Sequence, residues 1–289
     1  MGFPRNGLNT KIHRFLIPAL LGLGLFLLPM VALSQSRPCI TRLENGSINW
    51  TTGTVTALGK AGPRDNKDEP AAGPARAHAN RNLLEILRGM RISNSLTVGE
   101  YAAANDIILA GVEATARDAV TVRQYYTSAL DVELTIQTRV FGGFLQIVLP
   151  EEIRQIPQIR SQEKPMPMEP AVAQSRFTGL VIDARGLDFE PVLYPVILSE
   201  LGQDVYSAVF ISREFAVQHG VCRYACNLEE AQGRIGANPL VVKGLRKSGK
   251  DHSAIVVGTA DTQILEKATE RHAFLRECRV VILLGPAPK

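Results

Sequence analysis

The sequence predicts an α+β protein with two small two-layer α/β modules, joined by a proline-rich linker and preceded by an export signal. Apolar and polar side chains alternate from Leu130 to Val140, which is typical of a strand with one wet face. Residues 75–90 place apolar side chains at three- and four-residue intervals, which predicts an amphipathic helix. The continuous apolar run Val280–Leu284 predicts a strand that is buried on both faces of a sheet.

Residues 1–34 have the pattern of a secretory signal sequence. Arg5, Lys11 and Arg14 give a positive start without any acidic residue, and residues 15–33 are apolar and uncharged. Signal peptidase requires small side chains three residues and one residue before the cut, and Ala32 and Ser34 supply them for cleavage near Ser34. We therefore expect a periplasmic protein whose signal is removed.

Two kinds of membrane attachment compete with cleavage. An uncleaved anchor is the stronger alternative, because the apolar stretch is near the ~20 residues that span a bilayer, although Pro18 and Pro29 weaken such a helix. A lipid anchor requires a cysteine directly after a short motif of leucine and small residues, whereas Cys39 follows Ser36-Arg37-Pro38. The sequence therefore leaves membrane association open but predicts no lipid anchor.

The composition indicates a folded protein and argues against two ligand classes. The chain of 289 residues is 45% hydrophobic and 21% charged, which is typical of globular proteins. A net charge of +4 is too small to indicate a nucleic-acid surface, and 6% aromatic residues do not suggest a stacking platform for bases or sugars. No nucleic-acid partner is expected.

The first module is expected over residues 39–150. The loop-forming segment Gly62–Gly73 separates its first strand from its first helix, and the tight turn Thr127–Ala129 joins its last two strands in a hairpin. Its predicted elements are a strand at Ile48–Leu58, a helix from Pro74 to Met90, a helix at Val98–Ala114, and strands at Val120–Val122 and Leu130–Val140.

A linker and a second module follow. Residues 151–176 are rich in proline, which removes backbone donors and resists helix formation, so they are expected to form a semi-rigid linker. Residues 177–289 are expected to form the second module. Its predicted elements are strands at Leu180–Ile182, Val192–Leu198, Val205–Ile211, Leu240–Val242 and Ile255–Val257, a helix at Asp261–Glu277 and a final strand at Arg279–Leu284.

The segment Gly244–Lys250 matches the Gly-x4-Gly-Lys core of a phosphate-binding loop. That mechanism also needs a hydroxyl at the next position to hold magnesium, and a helix whose N-terminus faces the phosphates. Asp251 replaces the hydroxyl, and Ser253–Gly258 has the pattern of a strand. We therefore interpret the segment as a basic hairpin turn between two strands, and predict no cofactor.

A hydrolase active site is the main catalytic hypothesis. Asp183 and Arg185 follow a predicted strand, as the strand-end acids of many hydrolases do, but a local ion pair explains them equally well. An enzyme would need the side chains of Asp183, Glu190, Glu229 and Arg234 to converge in one deep cleft, whereas dispersal around turns would argue against it. No histidine pair has zinc-ligand spacing, and no Gly-x-Ser-x-Gly elbow occurs. We predict no catalytic and no metal site.

Four cysteines permit disulfide bonds in an exported protein, with three connectivities: Cys39, Cys222, Cys226 and Cys278. Cys222 and Cys226 are near enough in sequence to bridge locally and are the candidate pair, although their spacing gives poor disulfide geometry on a regular helix. Unpaired thiols are the alternative. The spacing matches neither the redox pair with two intervening residues nor a zinc framework.

The first module also resembles a known family. An alanine-rich helix at Ala75–Ile92 contains Asn-Leu-Leu-Glu and then Gly-x-x-Ile, and it is followed by Leu96-Thr97-Val98 and the long alternating strand. This succession, over Ile48–Val140, resembles the LPP-twenty outer-membrane lipoprotein family, to which the flagellar assembly proteins FlgP and the FlgT N-terminal domain are related. The resemblance implies a non-catalytic module of envelope or flagellar-base assemblies. The chain departs from the family in lacking the acylated cysteine.

These features predict an exported, non-enzymatic cell-envelope protein that associates with other envelope proteins or with itself. The alternative is a periplasmic hydrolase that acts on peptidoglycan or another envelope polymer. A module for small ligands or glycans is disfavoured by the low aromatic content.

Overall fold

The structure is a computed structural model that describes residues 39–62, 71–127, 131–153, 177–248, 254–268 and 271–285. The predicted signal sequence lies outside these residues, and so does the predicted linker apart from residues 151–153. Within the described ranges, no helix is long and apolar enough to cross a membrane.

The N-terminal half, residues 39–153, is a five-stranded antiparallel sheet with helices packed against it. Its elements are β1 (Ile40–Leu43), β2 (Gly46–Asn49), β3 (Thr54–Ala61), α1 (Ala72–Gly89), β4 (Arg91–Ser93), β5 (Leu96–Thr97), α2 (Val98–Ala103), α3 (Asp106–Arg117), β6 (Val120–Tyr126), β7 (Val132–Arg139) and α4 (Gly143–Val148). The strands lie in the order β1-β2-β3-β7-β6, and β4 and β5 form a separate small hairpin. The predicted antiparallel pairing of the last two long strands is confirmed, although β6 continues to Tyr126 beyond the predicted Val122. The predicted turn at Thr127–Ala129 lies outside the described residues apart from Thr127.

Helix α1 packs directly on β3 because both elements carry very small side chains at the crossing. Ala75 and Ala79 of α1 are fully buried beside Gly59 of β3. A Cβ atom on Gly59 would overlap the carbonyl oxygen of Ala75 and the backbone of Ala79. Further along the helix, Leu83 and Leu87 are also fully buried. This confirms the predicted amphipathic helix.

The strand predicted at Ile48–Leu58 is wrong, because the chain reverses within it. β2 ends at Asn49, β3 starts at Thr54, and the residues between them form a turn. Gly53 adopts a φ of +67°, a left-handed conformation that costs glycine little. The Asn49 side chain accepts a hydrogen bond from the Thr52 backbone N–H at 3.0 Å. Trp50 and its neighbouring threonines favour strands, so their composition concealed this turn.

The helix predicted at Val98–Ala114 is two helices. α2 begins with a capping box, in which the side chains of Thr97 and Glu100 each bind the other residue's backbone N–H. Asn105 then caps α3, since its side-chain oxygen accepts hydrogen bonds from the backbone N–H groups of Ile107, at 2.9 Å, and Ile108, at 3.3 Å. Asparagine competes with helical hydrogen bonding through such local bonds, which explains the break.

The C-terminal half, residues 177–285, is a seven-stranded mixed sheet. Its elements are β8 (Leu180–Asp183), β9 (Val196–Ser199), β10 (Asp204–Tyr206), α5 (Arg213–His219), β11 (Arg223–Ala225), a 3-10 helix (Glu229–Ala231), α6 (Gln232–Ile235), β12 (Leu240–Ser248), β13 (Ala254–Val257), α7 (Thr259–Lys267), α8 (Arg271–Arg276) and β14 (Val280–Leu283). The order is β10-β9-β13-β12-β8-β14-β11, with β12, β8, β14 and β11 parallel to one another.

The central strands of this second sheet are buried on both faces. Every residue of β13 and β14 is buried. On one face, Leu180 and Ile182 of β8 join a large apolar cluster, whereas Val181 between them packs in a separate cluster with Ile235 of α6. β14 lies between β8 and β11. The continuous apolar run is therefore confirmed as a buried interior strand.

Several predicted boundaries in this half are wrong. The strand predicted at Val192–Leu198 forms only at β9, which begins directly after Pro195, a residue without a backbone N–H for a strand ladder. The strand predicted at Val205–Ile211 forms only at β10. The helix predicted at Asp261–Glu277 is interrupted, since Ala268 adopts an extended conformation that ends α7.

The two halves pack together. The chain from residue 36 onward forms one compact unit, and one apolar cluster contains buried residues of both halves. Leu193 donates a backbone hydrogen bond of 2.8 Å to the carbonyl of Arg91 on β4. Tyr194 donates a similar bond of 2.9 Å to the carbonyl of Ile92. The predicted α+β fold class is confirmed.

Candidate functional site

A cavity of about 560 Å³ opens between the two halves. The hairpin of β1 and β2 forms one wall, the C-terminal part of α1 forms a second, and Glu190 and Pro191 form a third. Ligand-binding pockets commonly have volumes of about 300–1,000 Å³. The apolar residues of its lining are Leu43, Ile48, Trp50, Ile86, Met90 and Pro191.

Trp50, which lines the cavity, is held in place by contacts with both halves. Its indole N–H donates to Oγ1 of Thr41 at 2.9 Å, and its ring meets Tyr224 edge to face, with ring centres 5.7 Å apart. The Tyr224 hydroxyl accepts from the backbone N–H of Val192 at 3.0 Å and donates to the carbonyl of Val192 at 2.8 Å. Burial raises the pKa of Tyr224 well above its ordinary value, so this anchoring hydroxyl stays protonated.

Asn82 is a buried polar residue in the cavity lining. The residue is 6% exposed, and its Nδ2 donates to the carbonyl of Leu58 on β3 at 2.7 Å. That bond directs the side-chain nitrogen of Asn82 toward the first sheet. Its Oδ1 accepts no hydrogen bond from the described residues.

The charged residues of the cavity lining are mostly acidic. Glu44, Glu85 and Glu190 line it, and Arg91 is the only lysine or arginine among the described lining residues. A guanidinium nitrogen of Arg91 lies 3.7 Å from Oε2 of Glu190, so it offsets one of the three carboxylates. The C-terminal end of α1, at Gly89, adds the partial negative charge of the helix dipole. The cavity therefore favours a positively charged ligand.

The predicted Cys222–Cys226 disulfide is wrong, because Cys226 is bonded to Cys39, with 5.5 Å between their Cα atoms. Cys222 and Cys226 flank the extended strand β11. Along a strand, residues four positions apart are separated by about 13 Å, beyond the reach of a disulfide. The observed bond links the start of the N-terminal half to the C-terminal half.

Cys222 and Cys278 are free thiols that are buried in the C-terminal half. Burial raises the pKa of Cys222 to about 12 and that of Cys278 to about 11. A thiol acts as a nucleophile or metal ligand as the thiolate, so both groups are unreactive at neutral pH.

The candidate acid Asp183 lies in a local ion-pair cluster. Arg185 donates from Nε to Oδ1 at 2.8 Å and from a terminal nitrogen to Oδ2 at 3.0 Å, and Nζ of Lys243 lies 3.3 Å from Oδ2. The hydrogen bonds from Arg185, with a contribution from Lys243, hold the pKa of Asp183 well below its usual range. So acidic a group is a poor general acid or base at neutral pH.

The side chains that the hydrolase hypothesis requires are dispersed. Glu190 lines the cavity, whereas Asp183, Glu229 and Arg234 do not. Arg234 donates instead to two backbone carbonyls at the end of α5, at 2.6 Å each. Glu229 is exposed at the start of the 3-10 helix. These four side chains do not form a single cleft.

The segment that matches a phosphate-loop core forms part of a strand. Gly244 to Ser248 belong to β12, which pairs antiparallel with β13. The two antiparallel strands of the predicted hairpin are therefore present, but Gly244–Ser248 lie in the first strand and not in the turn. The turn residues 249–253 lie outside the described residues.

The C-terminal half matches a known family. A family model described as Treponema pallidum Tp0624, second domain, matches residues 179–286. This range runs from just before β8 to just after β14, and so contains the whole described second sheet. No curated protein matches the chain. The match does not include Ile48–Val140, whose resemblance to the LPP-twenty family stays a prediction.

The sequence pattern does not reveal the cavity, because its lining comes from separated segments of both halves. One signal is nevertheless present. Asn82 lies within the apolar spacing of α1, between Ala79 and Ile86, where a buried amide requires polar partners. Glu85, by contrast, is expected on the outer face of α1, and its place on the cavity rim depends on the β1–β2 hairpin opposite.

Proposed function

We propose that this chain is an exported, non-enzymatic cell-envelope protein that assembles with other envelope proteins through the open edge of its first sheet. The observation that carries the proposal is β6, whose seven residues are all exposed. β6 lies at the end of the strand order and pairs only with β7 among the described strands. Such an edge offers unpaired backbone groups to an added strand.

The side chains of β6 also suit a protein partner. Val120 and Tyr126 are 60% and 68% exposed, and Val122 and Tyr125 are half-exposed. A bulge between Thr121 and Arg123 limits uncontrolled pairing along this edge, as bulges commonly do at sheet edges.

Arg123 favours a different protein over a second copy as the occupant of this edge. It is the middle residue of β6, so an antiparallel pair of copies centred on the strand would place two arginines opposite each other. Like charges at directly opposed positions destabilise a strand pair. The test must therefore distinguish a complex with a different protein from self-association of this chain.

Export is supported by two independent features. Residues 1–34 have the pattern of a secretory signal, and disulfides such as Cys39–Cys226 persist in oxidising compartments. The resemblance of the N-terminal half to the LPP-twenty family extends the proposal to outer-membrane or flagellar-base assemblies. A periplasmic location is part of the proposal.

The absence of enzymatic activity is proposed from the state of the candidate groups. Asp183 is held in ion pairs with two basic side chains, and the buried thiols of Cys222 and Cys278 remain protonated. The alternative, a hydrolase of peptidoglycan or another envelope polymer, gains no support from this arrangement.

The test is to block the β6 edge with charge. In Val120→Lys/Tyr126→Lys, two lysines on the edge strand disfavour the addition of another strand. Cross-linked complexes recovered from envelope fractions should therefore be lost. Leu201→Lys/Val209→Lys is the matched control, since both residues are 75% exposed in the C-terminal half. Its complexes should persist, and neither variant should change the thermal midpoint.

Two results would contradict the proposal. One is recovery of the mature protein alone and monomeric from cross-linked cells. The other is a complex that survives in the β6 variant as well as in the control. A complex that contains only this chain would replace the proposed partner with a second copy.

A further inference from the structure

The cavity beside Trp50 has an apolar interior and an anionic rim. Trp50, Met90 and Ile86 supply apolar surface against which a hydrocarbon stem can pack. The indole face also attracts a cation that lies within about 6 Å of the ring. A ligand with a charged tip on a flexible apolar stem would satisfy both parts of the site.

The polar groups of the cavity determine whether the charged tip of the ligand must be positive or negative. Glu44 and Glu85 have no cationic partner within salt-bridge distance among the described residues, whereas Glu190 has Arg91. The buried Asn82, which lines the cavity, has a side-chain oxygen that accepts no hydrogen bond from the described residues. Carboxylates and an amide oxygen are acceptors only, so the complementary group is a nitrogen with several N–H donors.

We propose that this cavity binds a lysine or arginine side chain of a partner protein, flanked by apolar residues. The ammonium or guanidinium lies between Glu44, Glu85 and the Asn82 oxygen, and its methylene stem packs on Trp50. The neighbouring apolar residues of the partner contact Leu43 and Pro191, which also line the cavity. The choice of a protein segment over a free amine rests on the proposed function. The charge and shape of the cavity select a cationic ligand independently of that function.

Trp50 makes the proposal directly measurable. It is the only tryptophan of the chain, so tryptophan fluorescence of the full mature protein reports on this cavity. The probe is the acetylated, amidated tripeptide leucine–lysine–leucine. The control peptide carries norleucine in place of lysine, which keeps the stem and removes the ammonium group. Free n-butylamine tests whether a small amine is sufficient.

The lysine peptide should shift the fluorescence and bind at least about tenfold more tightly than the norleucine peptide, with an affinity that falls as salt rises. n-Butylamine should bind at least about tenfold more weakly than the lysine peptide, because it lacks the flanking apolar contacts. Equal binding of the lysine and norleucine peptides, or no fluorescence change, would overturn the proposal. Equal binding of n-butylamine and the lysine peptide would overturn its peptide part.

Variants of the charged cavity residues test whether the peptide binds at this cavity. Glu85→Gln and Glu44→Gln should each weaken the lysine peptide by about threefold, as expected for exposed charge pairs. Arg91→Gln should strengthen it, because Glu190 then has no cationic partner. Glu113→Gln on the exposed face of α3 is the matched control and should change nothing. An equal effect of Glu113→Gln and Glu85→Gln would show a non-specific charge effect and overturn the site.

This test is independent of the β6 experiment. It uses the purified protein and synthetic peptides, whereas the proposed function is tested by complexes from cross-linked cells. Failure of peptide binding with an intact β6 complex would remove the cavity site only. Failure of the β6 complex with intact peptide binding would remove the edge interaction only.

Discussion

The two sheets of this protein bury their strands in different ways. In the first sheet, β7 buries Val132, Leu134 and Ile136, and the polar residues between them remain partly exposed. In the second sheet, β13 and β14 are buried at every residue. The first sheet is antiparallel throughout, whereas the second has parallel strands at its centre and apolar clusters on both faces. A strand alternates between apolar and polar residues when only one face of its sheet is covered, and it is apolar throughout when both faces are covered.

The edges of the two sheets differ as well. The second sheet ends in β10 and β11, which have three residues each. Very short edge strands are one way in which proteins prevent unwanted pairing. The first sheet instead ends in the four-residue β1 and in β6, whose seven residues are all exposed. The N-terminal half therefore carries the long open edge at which we expect a partner to bind.

The largest effect is expected at the disulfide that joins the two halves. Cys226→Ser should lower the free energy of unfolding by about 4 kcal/mol, because the Cys39–Cys226 bond closes a long loop in the unfolded chain. Cys222→Ser, which breaks no disulfide, should cost about 1–2 kcal/mol. Denaturant unfolding measures both. Equal losses, or a Cys222-containing disulfide in non-reducing mass spectrometry, would contradict the pairing.

The next effect distinguishes two crowded glycines, one in each half. Gly59→Ala should cost about 3 kcal/mol, because its Cβ would overlap the backbone of α1, which cannot shift without moving the helix. Gly244→Ala should cost about 1 kcal/mol, since its Cβ would overlap only side-chain methyl groups of Ile255 and Leu187, while the nearest backbone atom, the carbonyl oxygen of Asp183, is 3.3 Å away. Thermal and urea unfolding of the two variants measures this. The reverse order would show that α1 is not closely packed on β3.

A smaller effect compares a central strand with an open edge. Val281→Thr places a hydroxyl in the fully buried β14 and should cost about 2 kcal/mol. Val120→Thr makes the same change on exposed β6 and should stay within about 0.5 kcal/mol. Similar losses in urea unfolding would mean that β6 is covered in the isolated protein.

The smallest effect is the pH dependence from Asp183. Its pKa is lowered in the folded state, so its stabilising contribution is present above the unfolded pKa of about 4 and is lost as the pH falls toward the folded value. Asp183→Asn should cost about 1 kcal/mol at pH 7. That difference from the wild type should shrink between about pH 4 and pH 2. Asp118→Asn, at the end of α3, is the control. A pH-independent difference would exclude the ion pair as its cause.

Local periodicity predicted the long elements of the fold. The apolar spacing of α1, the alternation in β7 and the continuous run in β14 each reflect which faces are covered, and each is confirmed. The interruptions of the predicted strand Ile48–Leu58 and of the predicted helix Val98–Ala114 were not predicted. The turn before Gly53 and the cap at Asn105 depend on single residues within segments whose composition favours continuation, so the average pattern conceals them.

The sequence by itself determined the α+β class, the main helix and strands, and a chain pattern that points to export. Only the tertiary structure decided the partner of Cys226, which lies 187 residues away along the chain. It also brought Trp50, Asn82 and Glu190 to one cavity and left β6 at an open edge. Periodicity records whether a residue is buried, because burial follows the face of its own helix or strand. It does not record which distant segment covers that face, since that depends on how the two halves pack.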